Sequence, residues 1–204
     1  MHTEILSNEQ LAVLPYLKKF NRSFYLVGGT AIAFHLGHRR SIDFDLFTAS
    51  DLRKSRIRKN LSEIPFKQIP IFEDFDQLHV LINDVKFTFF SYPYQIEHSI
   101  KLDSYITIPS LLSLAAMKAF ALGRRSKWKD YVDLYFIIRD SFSITEISEV
   151  AKSIFPNQFS EKLFRQQLAF HKDIDYSEPV EFLVEPVYDD VIKSFLLDAA
   201  TNIL

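Results

Sequence analysis

Residues 26 to 47, LVGGTAIAFHLGHRRSIDFDLF, constrain the fold more than any other stretch, because their periodicity changes repeatedly within a short length. The apolar run FYLV, 24 to 27, reads as a short buried strand that ends at Gly28 and Gly29. TAIAFHL, 30 to 36, reads as a helix closed by Gly37, where a left-handed backbone is needed. IDFDLF, 42 to 47, alternates apolar and polar residues as a strand does. The chain has only 4 glycines and three fall here, so each carries unusual weight. Strand, turn, helix and strand in such quick succession predict an α/β architecture.

The remaining chain extends that prediction. Ser7 and Gln10 have capping-box spacing, and Leu11, Leu14, Leu17 and Phe20 recur at helical intervals, predicting a helix over 8 to 20. Ser50 and Asp51 are expected to open a short basic helix, DLRKSRIRKNL. LHVLI and VKFTFF read as two strands joined by a tight turn at Asn83-Asp84. After Pro109 the pattern turns helical: SLLSLAAMKAFAL, KWKDYVDLYFII, ITEISEVAKSI and DDVIKSFLLDAATNI (189 to 203), with breaks at Gly123, Ser143, Pro156 and near Pro179 and Pro186. The expected organisation is an α/β core over 1 to 108 and a helical region over 109 to 204 packed on it.

The 204 residues are 48% hydrophobic, enough for a real core. A formal charge of -2 and a pI near 6.3 exclude a polyelectrolyte binder, so nucleic-acid contact would have to come from local patches. The absence of cysteine excludes disulfides and thiolate metal sites. No signal peptide or membrane-length apolar run is evident, and a cytoplasmic protein with no membrane partner is expected.

In the strand 42 to 47, Ile42, Phe44 and Leu46 should face one way and Asp43 and Asp45 the other. Two adjacent carboxylates repel unless a cation neutralises them, and hard oxygen donors suit Mg²⁺ or Mn²⁺. By itself a D-x-D strand is more often a half-solvated edge than a metal site. The Gly28-Gly29 turn, opening a helix near Thr30, offers backbone N–H groups and a hydroxyl to a phosphate. A triphosphate on the turn would reach a cation on the strand, the arrangement used in phosphoryl and nucleotidyl transfer.

Together, GGT at 28 to 30, GHRRSIDFDLF at 37 to 47 and LAAMKAFALGRRSKWKDYVDLY resemble the nucleotidyltransferase superfamily. More narrowly they resemble the AbiEii/AbiGii toxin family, the nucleotidyltransferase component of type IV toxin-antitoxin and phage-abortive systems. The matching residues are Gly28, Gly29, Thr30, His38, Arg39, Ser41, Asp43, Asp45, Lys118, Arg124 or Arg125, Lys129, Asp130 and Asp133, within residues 24 to 138. VKFTFFSYPY also resembles the family's third segment, whereas residues 140 to 204 contribute nothing to the match.

The resemblance implies a mixed β-sheet flanked by helices, a bound nucleoside triphosphate, a divalent cation, and transfer to an acceptor that is tRNA in some members. It also implies a cognate antitoxin. The third carboxylate common among nucleotidyltransferases aligns with Thr88, a poor base. Strand parity places Val85, Phe87 and Phe89 toward the core and Lys86, Thr88 and Phe90 on the face of the acids.

Lys118 sits within LAAMKAFAL, where a cation requires a carboxylate or a phosphate beside it. Asp130 and Asp133, three apart on a helix, share a face. The expected assignment is therefore Asp43 and Asp45 as metal ligands, with Lys118 and Asp130 also catalytic. Gly28, Gly29, Thr30, Arg39, Ser41, Lys118, Arg125 and Asp133 are expected to serve the nucleotide. The basic stretches HRR with RKSRIRK, and GRRSKWK, could receive an RNA backbone. Trp128 is expected to pack in the core, and His35, His79, His98 and His171 are expected to be structural. Two other functions fit the same residues: a noncatalytic nucleotide- or RNA-binding descendant of the fold, and a kinase-type toxin transferring the γ-phosphate.

Overall fold

The first helix, Asn8–Val13 (α1), begins at the expected capping box: Ser7 Oγ accepts from Gln10 N at 3.2 Å, and the Gln10 side chain accepts from Ser7 N at 3.0 Å. The expected continuation to residue 20 is corrected, because Leu14–Lys19 is a 3-10 segment with Pro15 at its start. Proline lacks the N–H for the next helical bond, and its ring clashes with the preceding turn. Val13, Leu14, Leu17 and Phe20 are buried all the same, so the apolar face survives the change of helix type.

The computed structural model describes residues 1–202 and divides into two units, Met1–Ser110 and a second starting at Leu111. In the first, Tyr25–Val27 (β1) leads into Gly28–Leu36 (α2), followed by Phe44–Thr48 (β2), Lys54–Ser62 (α3), Gln68–Asp74 (β3), Gln77–Ile82 (β4) and Val85–Ser91 (β5). These strands form one mixed sheet in the order β1-β2-β5-β4-β3, with β2 and β5 parallel and the other pairs antiparallel. A separate hairpin pairs Ile100–Leu102 (β6) with Ile106–Ile108 (β7).

Helix α2 starts at Gly28, two residues earlier than expected, and ends at Gly37, whose φ of 66° is the left-handed cap foreseen. Asn83 and Asp84 both take positive φ, 51° and 63°, as a two-residue hairpin turn matched to strand twist requires. That turn pairs Ile82 with Val85 and fixes the register of the hairpin. Burial alternates along β5 as parity predicts: Val85, Phe87 and Phe89 are buried, Lys86 and Thr88 partly exposed. Phe20, Phe24, Phe44, Phe87 and Phe89 form a core rich in directional aromatic contacts: four pairs meet edge-on or tilted with centroids 4.9 to 6.4 Å apart, and Phe87 and Phe89 lie closer to parallel at 6.5 Å.

Helix α3 does not open at Ser50 and Asp51. Ser50 N donates to Thr48 Oγ1 and Ser50 O accepts from Ser91 Oγ, tying this segment to the ends of β2 and β5, so the helix begins only at Lys54. Strand β3 escapes sequence reading because it is an edge strand exposed almost throughout, with Pro70 at a register shift.

The second unit is helical: Leu111–Leu122 (α4), Trp128–Asp140 (α5), Ile144–Ile154 (α6), Glu161–Ala169 (α7) and Asp189–Thr201 (α8). Ser143 closes a capping box with Glu146 at the start of α6. Helix α7 lies in a stretch with no helical expectation, and Ile203, at the end of the expected last helix, lies outside the described residues. Trp128 is buried, stacked near Tyr131.

Candidate active site

The glycine turn and the acidic strand are in direct contact. Val27, the last residue of β1, pairs with Asp45, which brings Gly28 against the Asp45 side chain. A β carbon on Gly28 would stand 2.2 Å from Asp45 Oδ2, so only glycine, here at φ 74°, fits. A β carbon on Gly29 would stand 2.6 Å from Arg39 Nη2 and 3.0 Å from Ser41 Oγ. Gly28, Gly29, Arg39, Ser41 and Asp45 are thus one cluster.

Thr30 and Arg39 support this cluster from below, both only 1% exposed. Thr30 Oγ1 donates to the Asp43 carbonyl at 2.5 Å and lies 2.9 Å from Ser41 Oγ, fastening α2 to the approach of β2. The Gln10 side-chain amide donates to Ser41 O at 2.8 Å and holds the same loop from α1. The Thr30 hydroxyl, expected to meet phosphate, is therefore engaged in bracing the acidic strand. Arg39 is the largest fully buried side chain, its Nη1 donating to Arg40 O at 2.8 Å.

Asp43 immediately precedes β2, and Phe44 and Leu46 are buried while Asp43, Asp45 and Phe47 are partly exposed. Lys86 Nζ lies 3.7 Å from Asp43 Oδ2. Asp45 pairs with Thr88 across the parallel β2-β5 ladder, and Thr88 pairs with His79 across β4-β5. Asp45, Thr88 and His79 therefore form one row, the third position being the threonine foreseen. Sequence reading classed His79 as structural. Its signal was available: a two-residue turn between Ile82 and Val85 puts His79 opposite Thr88. Desolvation holds the His79 imidazole below the ordinary histidine range; nearby Lys86 adds to this and Asp43 opposes it.

Among the described residues no three His, Asp or Glu side chains converge as a complete metal site. Two partly exposed carboxylates still suit a hard cation, since Mg²⁺ is characteristically held by one or two carboxylates with substrate phosphates and water supplying the rest.

The second unit carries a separate buried charge cluster. Lys118 on α4, 6% exposed, places Nζ 2.7 Å from Asp130 Oδ1 and 3.0 Å from Asp133 Oδ2, both on α5 and almost wholly buried. Arg125 Nε reaches Asp130 Oδ2 at 3.0 Å. The partner that Lys118 needs in its apolar helix is thus this pair of aspartates. Two cations and two anions balance, which makes so buried a network tolerable.

A family model described as nucleotidyl transferase AbiEii toxin, type IV TA system, matches residues 16–199. The chain belongs to this family of nucleotidyltransferases. The AbiEii match includes the acidic strand and the buried Lys118 cluster, and extends through the C-terminal helices in which sequence reading found no resemblance. An uncharacterized protein of Aquifex aeolicus (strain VF5) is 32% identical over 181 residues, 84% of each chain. Among solved structures, MenT4, a nucleotidyltransferase toxin from Mycobacterium tuberculosis H37Rv, aligns at a TM-score of 0.64 and 14% identity over 94% of this chain and 80% of its own. JHP933 from Helicobacter pylori aligns at 0.59 and 16% identity over 96% and 91%. At such identities these two share the fold. AbiEii membership implies an antitoxin partner and a nucleoside triphosphate substrate. Among the described residues, no helix is long and apolar enough to cross a membrane.

Proposed function

We propose that the Gly28-Gly29 turn seats the triphosphate of a nucleoside triphosphate and that Asp43 and Asp45 hold a divalent cation beside it, for transfer of the nucleoside monophosphate to an RNA acceptor. The observation that carries this reading is the contact between Gly28 and the Asp45 carboxylate, which leaves no side chain between the anion-binding turn and the acids. Bound there, Mg²⁺ or Mn²⁺ would neutralise charge on the reacting phosphate and the departing pyrophosphate. Backbone N–H groups at the start of α2 orient the phosphates, buried Arg39 adds positive charge beneath Gly29, and Thr30 keeps Asp43 at its station. The acceptor hydroxyl loses its proton to water and its oxygen attacks the α-phosphorus; the bond to the β-phosphate breaks and pyrophosphate leaves with that electron pair. Lys118 and Asp130 of the second unit are proposed to be needed for activity as well, with Asp133 and Arg125 holding them in place.

Incubation with α-labelled and γ-labelled triphosphates and cellular RNA tests this. Label retained on RNA from the α position, and lost in Asp45→Asn, is the expected result. Label from the γ position would make the protein a kinase, and no transfer with Asp43-independent nucleotide binding would make it a binding module.

A further inference from the structure

At the end of the sheet where β1 begins and β2 finishes, the first unit contains a cavity of about 360 Å³. Arg22, Arg53 and Arg56 line it, and none of the three makes an ion pair with a described acid. Lys19 also lines it but is held by Glu63 at 2.5 Å, and Asp51 is the carboxylate in the lining. Arg53 is the N-cap residue of α3, and that helix start has no side-chain cap, so its backbone donors add to the positive field.

A second observation points to a ligand. Tyr25, 3% exposed, lines the same cavity, and its hydroxyl is buried without a hydrogen-bond partner among the described residues. Most buried hydroxyls are paired, so an orphan on a residue of a cavity that three arginines without acid partners also line marks a missing acceptor. Burial pushes the phenol up from its ordinary range, keeping it a neutral O–H donor, and its ring is fixed by stacking on His98 at 4.3 Å. Tyr25 and Thr48 lie three residues from Gly28 and Asp45 respectively, about 10 Å along a strand, so the cavity is separate from the glycine turn.

The geometry points to a second anion site that takes the phosphate of one nucleotide unit, supplied either as a free nucleoside monophosphate or as a phosphodiester within RNA. The volume is near the lower end of small-molecule sites, roughly 300–1,000 Å³, matching a phosphate with its sugar or base better than a whole triphosphate. Arginine and a phenol O–H are fitting donors for phosphate oxygens.

The test uses full-length protein carrying Asp43→Asn and Asp45→Asn, without divalent cation, so that binding is read independently of the proposed transfer site. Adenosine monophosphate and a short single-stranded RNA are titrated separately by calorimetry. The exposed Arg22→Ala and Arg56→Ala substitutions together should weaken at least one probe 10-fold or more, and Tyr25→Phe, which keeps the ring, a few-fold. For RNA the slope of log affinity against log salt should become shallower by about 0.7 for each phosphate no longer neutralised. Weakening confined to the monophosphate identifies a free nucleotide; weakening for RNA alone identifies a phosphodiester. No binding of either probe, or affinities unchanged by both arginine substitutions, overturns the proposal.

Discussion

Gly28 and Asp45 touch so closely that a methyl group on the glycine would overlap the carboxylate, 2.2 Å from Oδ2. Gly28→Ala should therefore displace Asp45 as well as strain a backbone at φ 74°. The backbone strain alone should cost about 1–2 kcal/mol, visible as a lower urea midpoint. Transfer activity should fall at least 100-fold, out of proportion to that cost, because the displaced group is a proposed metal ligand. Equal activity in protein that remains folded would separate the turn from the chemistry.

Lys118 is the cation shared by two buried carboxylates, so Lys118→Met should destabilise by about 3–5 kcal/mol by denaturant melt. Adding Asp133→Asn should recover at least about 1 kcal/mol, since one buried charge is then removed as well. If a stabilised background carrying Lys118→Met binds nucleotide with unchanged affinity, the network is structural.

The unit that makes the proposed site was legible because its residues report their own geometry. Glycines around 28 to 37, alternation about Asp43 and Asp45, and a two-residue turn at Asn83-Asp84 are local signals, and local signals survive in a sequence. Thr30 was less legible, since its residue type suits a phosphate and a carbonyl equally and only tertiary structure selects the Asp43 carbonyl. Strand β3 gave no periodic signal because neither of its faces is buried, and Pro15 converted half of the first helix without disturbing its apolar spacing. His79 required strand register, a nonlocal property, although the short turn nearly determined it.

Thr30→Val removes the donor to Asp43 O while keeping shape, and should cost about 1 kcal/mol in thermal or urea unfolding. Thr30→Ser retains the donor and should recover most of the transfer rate that the valine variant forfeits. A valine variant with native activity would mean that Asp43 holds its position without the brace.

Lys86 competes with any cation for Asp43, at 3.7 Å and with both groups more than a third exposed. An ion pair that solvated is worth at most about 1 kcal/mol, so Lys86→Ala should tighten Mn²⁺ binding by no more than about 5-fold in a titration with nucleotide present. Weaker binding would assign Lys86 to the triphosphate instead.

His35 gives a pH-dependence of known sign. Burial holds its imidazole below the ordinary value of 6.5, against the opposing hydrogen bond between Nε2 and Pro109 O at 3.0 Å. Above pH 6.5 both folded and unfolded chains carry it neutral and it does not affect stability. As the pH falls below 6.5 the unfolded chain takes the proton first, so stability declines until the folded-state value is passed. His35→Gln, which can still donate to Pro109 O, should flatten that part of the stability curve, measured by urea melts in pH steps downward from about 7.

Strand β2 lies inside the sheet, hydrogen-bonded to β1 on one side and to β5 on the other. The peptide links around Asp45 therefore cannot come loose unless two ladders part, and such double-sided openings belong to the rarest fluctuations of a domain. Deuterium uptake at Asp45 should consequently track complete unfolding of its unit, leaving that acid no intermediate condition in which the scaffold persists and it is out of place.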